Sequence, residues 1–515
     1  MKVYFLIFAF SLLAMLTHGY AFGVSDQEIF IPYIINGYDN TLLADDKLLD
    51  QESAKASFFY PIVSFLLNFV GLEHIFFVGF LIWQFLFFLA LFWLSRVILK
   101  NEKLAVLSLL LYFSPKFIGG TATQTFDSFF GYRNIGIILL LVTLRYLLEN
   151  NIIKASLVAC LNLLVHPLSV IPSLIYFPVS LARKNLHLVI VSILLLGLTA
   201  LWMGRIAGID TTSRLGHFLD NDWLSIIRER NNFLFASQWS IYGWGSFFIY
   251  FLPIVIFLNK LTKNLRRNLV KFLLASTIVF VVNFFLLEVL ASPFFASFQL
   301  VRSFNPLAYV GLSMTTFLLT GSNFITRAVG IVAFLSIATN QFYIYLICAF
   351  LFLITKMVSK FRFTDNIARN TFFLLLVPTT FYWLILNFQT NKLEKVIEYP
   401  KPQSDWIKAQ MWAKENTKKN EIFLTDPYLT GFRIYSQRSI VGDVKDGGVN
   451  IYSPDFAKYW YGVMRNTRGL KNFNDRDVRS LKESFQFNYL ITYNNHVLTY
   501  PVIYSNQKYR IYKTD

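Results

Sequence analysis

Charged side chains and cysteines are both scarce in this sequence. Only 15% of the 515 residues are charged, whereas 55% are hydrophobic and 18% are aromatic. A single water-soluble core does not need this much apolar surface, so we expect a membrane protein. The two cysteines, Cys160 and Cys348, lie within apolar segments and behave there as small hydrophobic residues. Neither a disulfide framework nor a cysteine-based zinc site follows from them.

The sequence also lacks the motifs of several common enzyme classes. It contains no Walker A or dinucleotide-binding fingerprint, no helix-borne His-Glu-x-x-His and no Gly-x-Ser-x-Gly. Nucleotide binding, zinc proteolysis and serine hydrolysis are therefore unsupported. The net charge of +17 does not indicate nucleic acid as a partner. Most basic residues flank apolar runs or lie in the C-terminal part, where they orient spans and contact the headgroups of membrane lipids.

Long apolar runs predict about 13 membrane spans, because a span needs about 20 apolar residues. The clearer runs lie near residues 3–22, 74–98, 103–118, 134–149, 186–204, 243–259, 271–291, 305–320 and 370–388, and two hairpins with short halves lie at 152–182 and 328–355. The first run could instead be a secretory signal peptide. We prefer an uncleaved span and predict a mainly α, polytopic transmembrane helix bundle over residues 1–388.

Basic clusters orient this bundle. Two examples are residues 96–103 and 260–271, and the positive-inside rule places such clusters in the cytoplasm. This orientation places the N-terminus in the cytoplasm, and an odd number of spans then puts the C-terminal part outside. The loops predicted on the outer face are 23–57, 118–133, 205–242 and 292–304.

The composition changes after residue 388. Residues 389–515 carry 20 lysines and arginines against 13 acidic residues, and their apolar runs are short. A helix is predicted over 404–415, a strand over 421–425, and three further strands over 487–493, 500–504 and 509–513. We therefore predict a small extracytoplasmic α/β domain.

Two carboxylates follow the first span directly. Asp26 and Glu28 stand at a membrane boundary, where keeping charge close to lipid is costly. Asp26 could act as a general base that takes a proton from an acceptor hydroxyl. The alternative is structural: Ser25 and Asp26 could cap an interfacial helix, with Glu28 in its first turn.

Two arginines are predicted to bind phosphate. Arg133 closes an outer loop, and Arg302 stands at the outer end of another span. Gln124 and Asp127 in the same loop as Arg133 are further candidates for substrate binding. A guanidinium grips phosphate oxygens with two donors, although Arg133 could equally pair with Asp127 or reach toward headgroups. His166 lies in a turn between two apolar runs, where it could contact a substrate or cap the turn.

One pair of residues could bind a metal. The adjacent carboxylates Asp45 and Asp46 could share a divalent cation, Mg²⁺ or Mn²⁺, or could simply form a solvated loop. No other cofactor is predicted. The charged residues of the loop 205–242, which include Arg228 and Arg230, are interpreted as part of an amphipathic surface helix.

The order of these parts resembles the GT-C superfamily of membrane glycosyltransferases. The similar features are the acidic motif of Asp26 and Glu28 after the first span, the many spans, and a small outer domain that opens with Trp406-Ile-Lys-Ala-Gln-Met-Trp412 and ends in strands such as 509–512. The stretches 412–427 and 431–448 also resemble uncharacterised GT-C-like membrane proteins of bacteria, which implies a location in the bacterial cytoplasmic (inner) membrane.

This resemblance implies a chemistry. The catalytic base would be a first-loop Asp, here Asp26 with Glu28 beside it, and the donor would be a polyprenyl-phosphate or polyprenyl-diphosphate sugar, with a divalent metal in some members. The sequence lacks the Trp-Trp-Asp-Tyr-Gly signature of oligosaccharyltransferases and the adjacent Asp-Glu pair of protein mannosyltransferases. The class of acceptor therefore stays open.

Two other functions stay open as well. A transporter or flippase for a lipid-linked glycan would place charged groups near the bilayer midplane, and Glu288 is the main candidate for such a group. A non-enzymatic envelope assembly protein would use the C-terminal domain for interactions.

Overall fold

The computed structural model describes residues 2–51, 56–171, 215–320, 324–358 and 404–514, together with a few positions between 190 and 198. The predicted span at 370–388 lies outside these residues, and the one at 186–204 lies mostly outside them. The described part contains a helical domain up to residue 358 and a domain with a β-sheet from residue 404, here called the tail domain.

The helical domain contains the following α-helices: α1 (Lys2–His18), α2 (Gln27–Tyr38), α3 (Phe59–Leu66), α4 (Leu72–Leu99), α5 (Glu102–Ser108), α6 (Tyr132–Leu148), α7 (Ile152–Val165), α8 (Asn221–Arg230), α9 (Ile241–Phe257), α10 (Lys263–Phe284), α11 (Asn305–Thr315), α12 (Phe324–Ala338) and α13 (Phe342–Val358). Two short strands, β1 (Phe117–Ile118) and β2 (Thr123–Gln124), pair antiparallel between α5 and α6.

Among the described residues, three helical segments are long and apolar enough to cross a membrane. They are Leu72–Leu99, Ile241–Lys260 and Lys263–Val289, and α1 and α7 are shorter apolar helices. Large apolar side chains such as Ile82 on α4 and Ile278 on α10 are exposed on their outer faces. Lipid is the solvent that accepts such surfaces, so this domain is a membrane domain.

The predicted span at 103–118 is shorter in the structure. Helix α5 ends at Ser108, a single 3-10 turn follows over Leu109–Tyr112, and the chain then turns into β1. Pro115 explains the ending, because proline cannot continue a helix and disfavours helical backbone at the residue before it. The total of about 13 predicted spans is not tested by the described residues.

The tail domain contains a mixed five-stranded sheet. Its helices are α14 (Asp405–Asn416), α15 (Phe432–Ser436), α16 (Pro454–Asn466) and α17 (Asp475–Phe485), and its strands are β3 (Ile422–Leu424), β4 (Ser439–Ile440), β5 (Tyr489–Tyr493), β6 (Val502–Ser505) and β7 (Tyr509–Lys513). The strand order is β4-β3-β5-β7-β6, with β3 parallel to β4 and β5 and the other pairs antiparallel. The helix and the strands predicted for this domain are confirmed to within a few residues.

Both faces of this sheet are covered. Successive strand residues point to opposite faces, so Leu490 packs with α16 and α17 while Ile491 packs with α14. Ser404 begins α14 by accepting a hydrogen bond from the Ile407 amide at 3.3 Å.

The tail domain also packs on the membrane domain. Its side chains Ile434, Val449 and Trp460 belong to the same buried apolar cluster as the core of the membrane domain. The ring of Tyr435 lies 6.2 Å from that of Phe22, just after α1. The loop between α1 and α2 is therefore partly covered by the tail domain.

Candidate functional site

The hairpin of β1 and β2 forms one side of the candidate site. Tyr309 on α11 donates a hydrogen bond to the Thr125 carbonyl at 2.6 Å, and Asn305 donates to the Thr123 hydroxyl at 3.1 Å. Gly120 turns this hairpin with a φ of +73°, and a Cβ there would lie only 2.1 Å from the ring of Trp239. The hairpin is therefore fixed against the membrane helices.

Arg133, at the start of α6, is held by two carboxylates. Its Nε and Nη2 donate to the two oxygens of Asp127, each at 2.8 Å, in a bidentate pair. Its Nη1 lies 2.9 Å from Oδ2 of Asp26. Such charge-assisted pairs fix the guanidinium plane, so Asp127 orients Arg133 and Arg133 in turn positions Asp26.

A pocket with about 440 Å³ of empty space, its open mouth included, lies beside this arginine. Its polar wall consists of Thr123, Gln124, Arg133, His166, Ser169, Arg302, Asn305 and Tyr309. Its apolar wall consists of Ile137, Leu140 and Leu168. A ligand with a polar, anionic head and an apolar chain matches the two walls.

Arg302 is the cation of this pocket that has no carboxylate partner among the described residues. Its Nε donates to the Thr121 carbonyl at 3.3 Å, and its guanidinium stacks on the ring of Phe233 at 5.3 Å. Burial and the nearby charge of Arg133 lower the pKa of Arg302 to about 10, so it remains a cation at neutral pH. The pocket therefore offers an unneutralised positive charge.

The hydrogen bonds of His166 define its tautomer. The backbone N–H of Ser169 donates to Nδ1 at 3.2 Å, and the Ser169 hydroxyl also contacts Nδ1. Because Nδ1 accepts, a neutral ring carries its proton on Nε2. Within the described residues Nε2 has no protein partner, so it can donate a hydrogen bond to a ligand.

Asp26 and Glu28 take different roles. Asp26 begins α2, but its side chain does not cap the helix and remains 42% exposed beside Arg133. The capping interpretation therefore does not hold for Asp26. Glu28 is buried against the tail domain beside Thr430 and Gly431, and burial raises its pKa. Glu28 thus belongs to the contact between domains and does not line the pocket.

The side chain between them, Gln27, has a structural role that sequence reasoning missed. Its Oε1 accepts from the Gly23 amide at 2.6 Å, and its Nε2 donates to the Phe130 carbonyl at 3.0 Å. It joins the turn before α2 to the end of the hairpin loop and thereby helps to fix Asp26 beside Arg133.

Asp45 and Asp46 do not act as a pair. Asp45 is exposed, whereas Asp46 is fully buried and binds the buried Arg433 of the tail domain through both oxygens, at 2.7 and 3.0 Å. Arg433 also binds Asp446 through two hydrogen bonds of 2.9 Å and lies 3.6 Å from Asp443. We call these four buried side chains the Arg433 cluster.

The available carboxylates do not fit a divalent metal. Asp46 uses both oxygens on Arg433, Asp127 uses both oxygens on Arg133, and Asp26 contacts Arg133 as well. Over the described ranges there is no group of three or more histidine, cysteine or acidic side chains that could hold an ion. A bound metal would have to displace arginines, and no step below relies on one.

Sequence reasoning also missed two residues that interact with residues of the candidate site. Arg230, at the end of α8, experiences the charge of Asp26, and its Nε donates to the Val444 carbonyl of the tail domain at 3.2 Å. Tyr452, also in the tail domain, accepts a hydrogen bond from Gln299 at 3.3 Å and interacts electrostatically with Arg302. The spacing of Trp223, Ile227 and Arg230 places them on one helix face, which was a usable signal for Arg230.

Glu288 does not lie at the middle of a span. It belongs to the π-helical turn Phe285–Val289 that ends α10, and its carboxylate accepts from the Ser237 amide at 3.1 Å. The main candidate for a midplane charge, as a transporter would need, therefore has a structural role at a helix end.

Comparisons with known proteins add little beyond this geometry. The model of a domain of unknown function, DUF6798, matches residues 404–461, which include Arg433, Asp443, Asp446 and Tyr452. No curated protein matches the sequence. Among solved structures, the oligosaccharyltransferase of Archaeoglobus fulgidus, tethered to an acceptor peptide with the NVT sequon, is similar over 95% of this chain and 68% of its own. The identity is 12% and the TM-score is 0.47, a level of similarity that does not establish a shared fold.

Proposed function

We propose that this protein is a membrane glycosyltransferase of the GT-C type. It would transfer a sugar from a polyprenyl-phosphate or polyprenyl-diphosphate donor to an acceptor at the extracytoplasmic face of the membrane. The observation that carries this proposal is the position of Asp26: a half-exposed carboxylate held 2.9 Å from an arginine that lines a polar and apolar pocket.

The pocket suits the donor. Arg302 has no carboxylate partner in the described part of the chain, and Arg133 presents a second guanidinium beside it. Two guanidinium groups can hold the phosphate, and the apolar wall of Ile137, Leu140 and Leu168 can hold the first isoprene units. The Nε2–H of His166 can donate to the sugar or to the phosphate.

The reaction is a single displacement at the anomeric carbon. Asp26 accepts the proton of the acceptor hydroxyl as its oxygen forms a bond to that carbon. The bond from the carbon to the phosphate oxygen breaks, and the phosphate leaves with the electron pair. Arg133 and Arg302 stabilise the negative charge that develops on it. One displacement inverts the configuration of the sugar.

The test is transfer by the purified full-length protein in lipid nanodiscs. Radiolabelled polyprenyl-phosphate hexoses and pentoses are supplied with a mixture of lipid, glycan and peptide acceptors, and wild type is compared with Asp26→Asn. The control is Asp45→Asn, which makes the same change at an exposed position that follows α2. Loss of a general base lowers the rate by about 10² to 10⁴-fold, whereas the control retains the wild-type rate.

Two results would contradict the proposal. Unchanged transfer by Asp26→Asn removes Asp26 as the base but leaves a transferase. If wild type transfers no sugar from any donor, the transferase itself is refuted, and movement of labelled lipid-linked glycan across the nanodisc lipid or a proteoliposome then tests a flippase.

A further inference from the structure

Arg230 is placed by contacts between α8 and the tail domain. The Nε1 of Trp223 donates to the Asn450 carbonyl at 2.8 Å, and Lys458 lies 3.0 Å from Asp220, which caps α8. Trp223 is fully buried in this contact. The helix end that carries Arg230 is therefore held rigidly against the tail domain.

The guanidinium of Arg230 has unused donors. Nε binds the Val444 carbonyl, but within the described residues neither terminal nitrogen forms a hydrogen bond or an ion pair. Three carboxylates act on Arg230 electrostatically, and each lies beside another arginine: Asp26 pairs with Arg133, and Asp443 and Asp446 belong to the Arg433 cluster. Burial lowers the pKa of Arg230, and these carboxylates oppose that change. A partly buried cation without a paired anion is costly to maintain, which points to an anion supplied by a ligand.

Asp26 interacts electrostatically with both Arg230 and the pocket residue Arg133. Arg133 lines the pocket and contacts Asp26, whereas Arg230 does not line the pocket but experiences the charge of the same carboxylate. A displacement needs a second substrate whose hydroxyl reaches the base. Arg230 is only partly buried between α8 and the tail domain, so its terminal nitrogens can contact that substrate.

We infer that Arg230 binds an anionic group of the acceptor, a phosphate or a carboxylate close to the hydroxyl that receives the sugar. This inference rests on the proposed function, because it assigns the acceptor side of the same site. It names the acceptor class as anionic and makes Arg230 a specificity-determining residue. Its two unused terminal nitrogens provide the two-pronged geometry that such oxygens accept.

The experiment compares three matched acceptors at concentrations below micelle formation: octyl glucoside, octyl glucuronide and octyl glucoside 6-phosphate. Transfer from a polyprenyl-phosphate sugar is measured with full-length wild type, Arg230→Gln and Arg230→Lys. The control is Arg228→Gln on the same helix, whose guanidinium stacks on Phe235 at 4.9 Å. We expect wild type and the control to prefer an anionic acceptor by about 10- to 100-fold in kcat/KM, and the Gln variant to lose this preference through KM.

The two anionic probes distinguish a phosphate from a carboxylate, and the Lys variant retains part of the preference. Equal use of the neutral acceptor by wild type, or an intact preference in Arg230→Gln, overturns the inference. If no acceptor receives sugar from any donor, the proposed function fails, and binding of the same probes decides on Arg230 separately. Tighter binding of an anionic probe that Arg230→Gln abolishes supports the inference, and equal binding of all three refutes it.

Discussion

The Arg433 cluster allows a quantitative test of how the tail domain is held on the membrane domain. Replacing Arg433 by Met leaves Asp46, Asp443 and Asp446 buried without their cation and removes four hydrogen bonds of 2.7–3.0 Å. Removing one partner from a buried ion pair costs about 3–5 kcal/mol, because the remaining charge is uncompensated. At about 1.4 kcal/mol per decade, the population in which the tail domain is detached rises roughly 10²- to 10⁴-fold.

Native-state proteolysis measures this population. The cleavage rate in the loop between α1 and α2 follows the open fraction when opening and closing are fast. The control is Lys419→Met, which removes the exposed pair of Lys419 with Asp39 between the same two domains and should leave cleavage close to wild type. Adding Asp46→Asn and Asp446→Asn to Arg433→Met should restore much of the protection. If Arg433→Met raises cleavage less than about fivefold, the cluster does not hold the domains together as argued.

Three further predictions use single substitutions. Burial raises the pKa of Asp443 well above its usual 3.8, so the folded state binds a proton that the unfolded chain releases and docking weakens as the pH rises above about 4. Asp443→Asn should therefore gain protection against proteolysis relative to wild type from pH 4 to pH 7, and no gain would contradict the raised pKa. At position 166, the amide of Gln places an N–H near the position of Nε2, whereas that of Asn places it near Nδ1. His166→Gln should therefore keep the wild-type rate of sugar transfer, while His166→Asn should lower this rate by about 10- to 100-fold. A slower His166→Gln and a normal His166→Asn would refute the assigned tautomer. Gly120→Ala drives a Cβ into Trp239 and should destabilise the protein by about 1–3 kcal/mol in thermal unfolding, unlike Gly245→Ala, whose Cβ meets open space.

Local patterns predicted much of this structure. The apolar runs located helices such as α4 and α10, and the helix predicted over 404–415 matches α14, because run length and periodicity are properties of nearby residues. Arg133 and Arg302, which the sequence places near the ends of predicted spans, line one pocket with His166 and Gln124. Their roles in binding remain predictions.

Other features depend on contacts between distant residues. The sequence suggested Asp46 as one of two metal ligands because its true partner, Arg433, is far away in the chain. No pattern of residue spacing predicts that these two side chains meet. Helix geometry alone could have predicted that the side chains of Asp26 and Glu28 point in different directions, because residues two apart on a helix lie about 200° apart around its axis. The two carboxylates therefore do not form one motif, and Asp26 is the one that contacts Arg133.

The pairing of Asp46 with Arg433 has a consequence for biosynthesis. The two residues are 387 positions apart, so at about 5–20 residues per second the ribosome needs roughly 20–80 s to supply the arginine after the aspartate. During this interval the carboxylate must stay hydrated, and the loop that carries Asp26 lacks the domain that later covers it. The loop that carries Asp26 therefore reaches its final packing only after the tail domain has been synthesised.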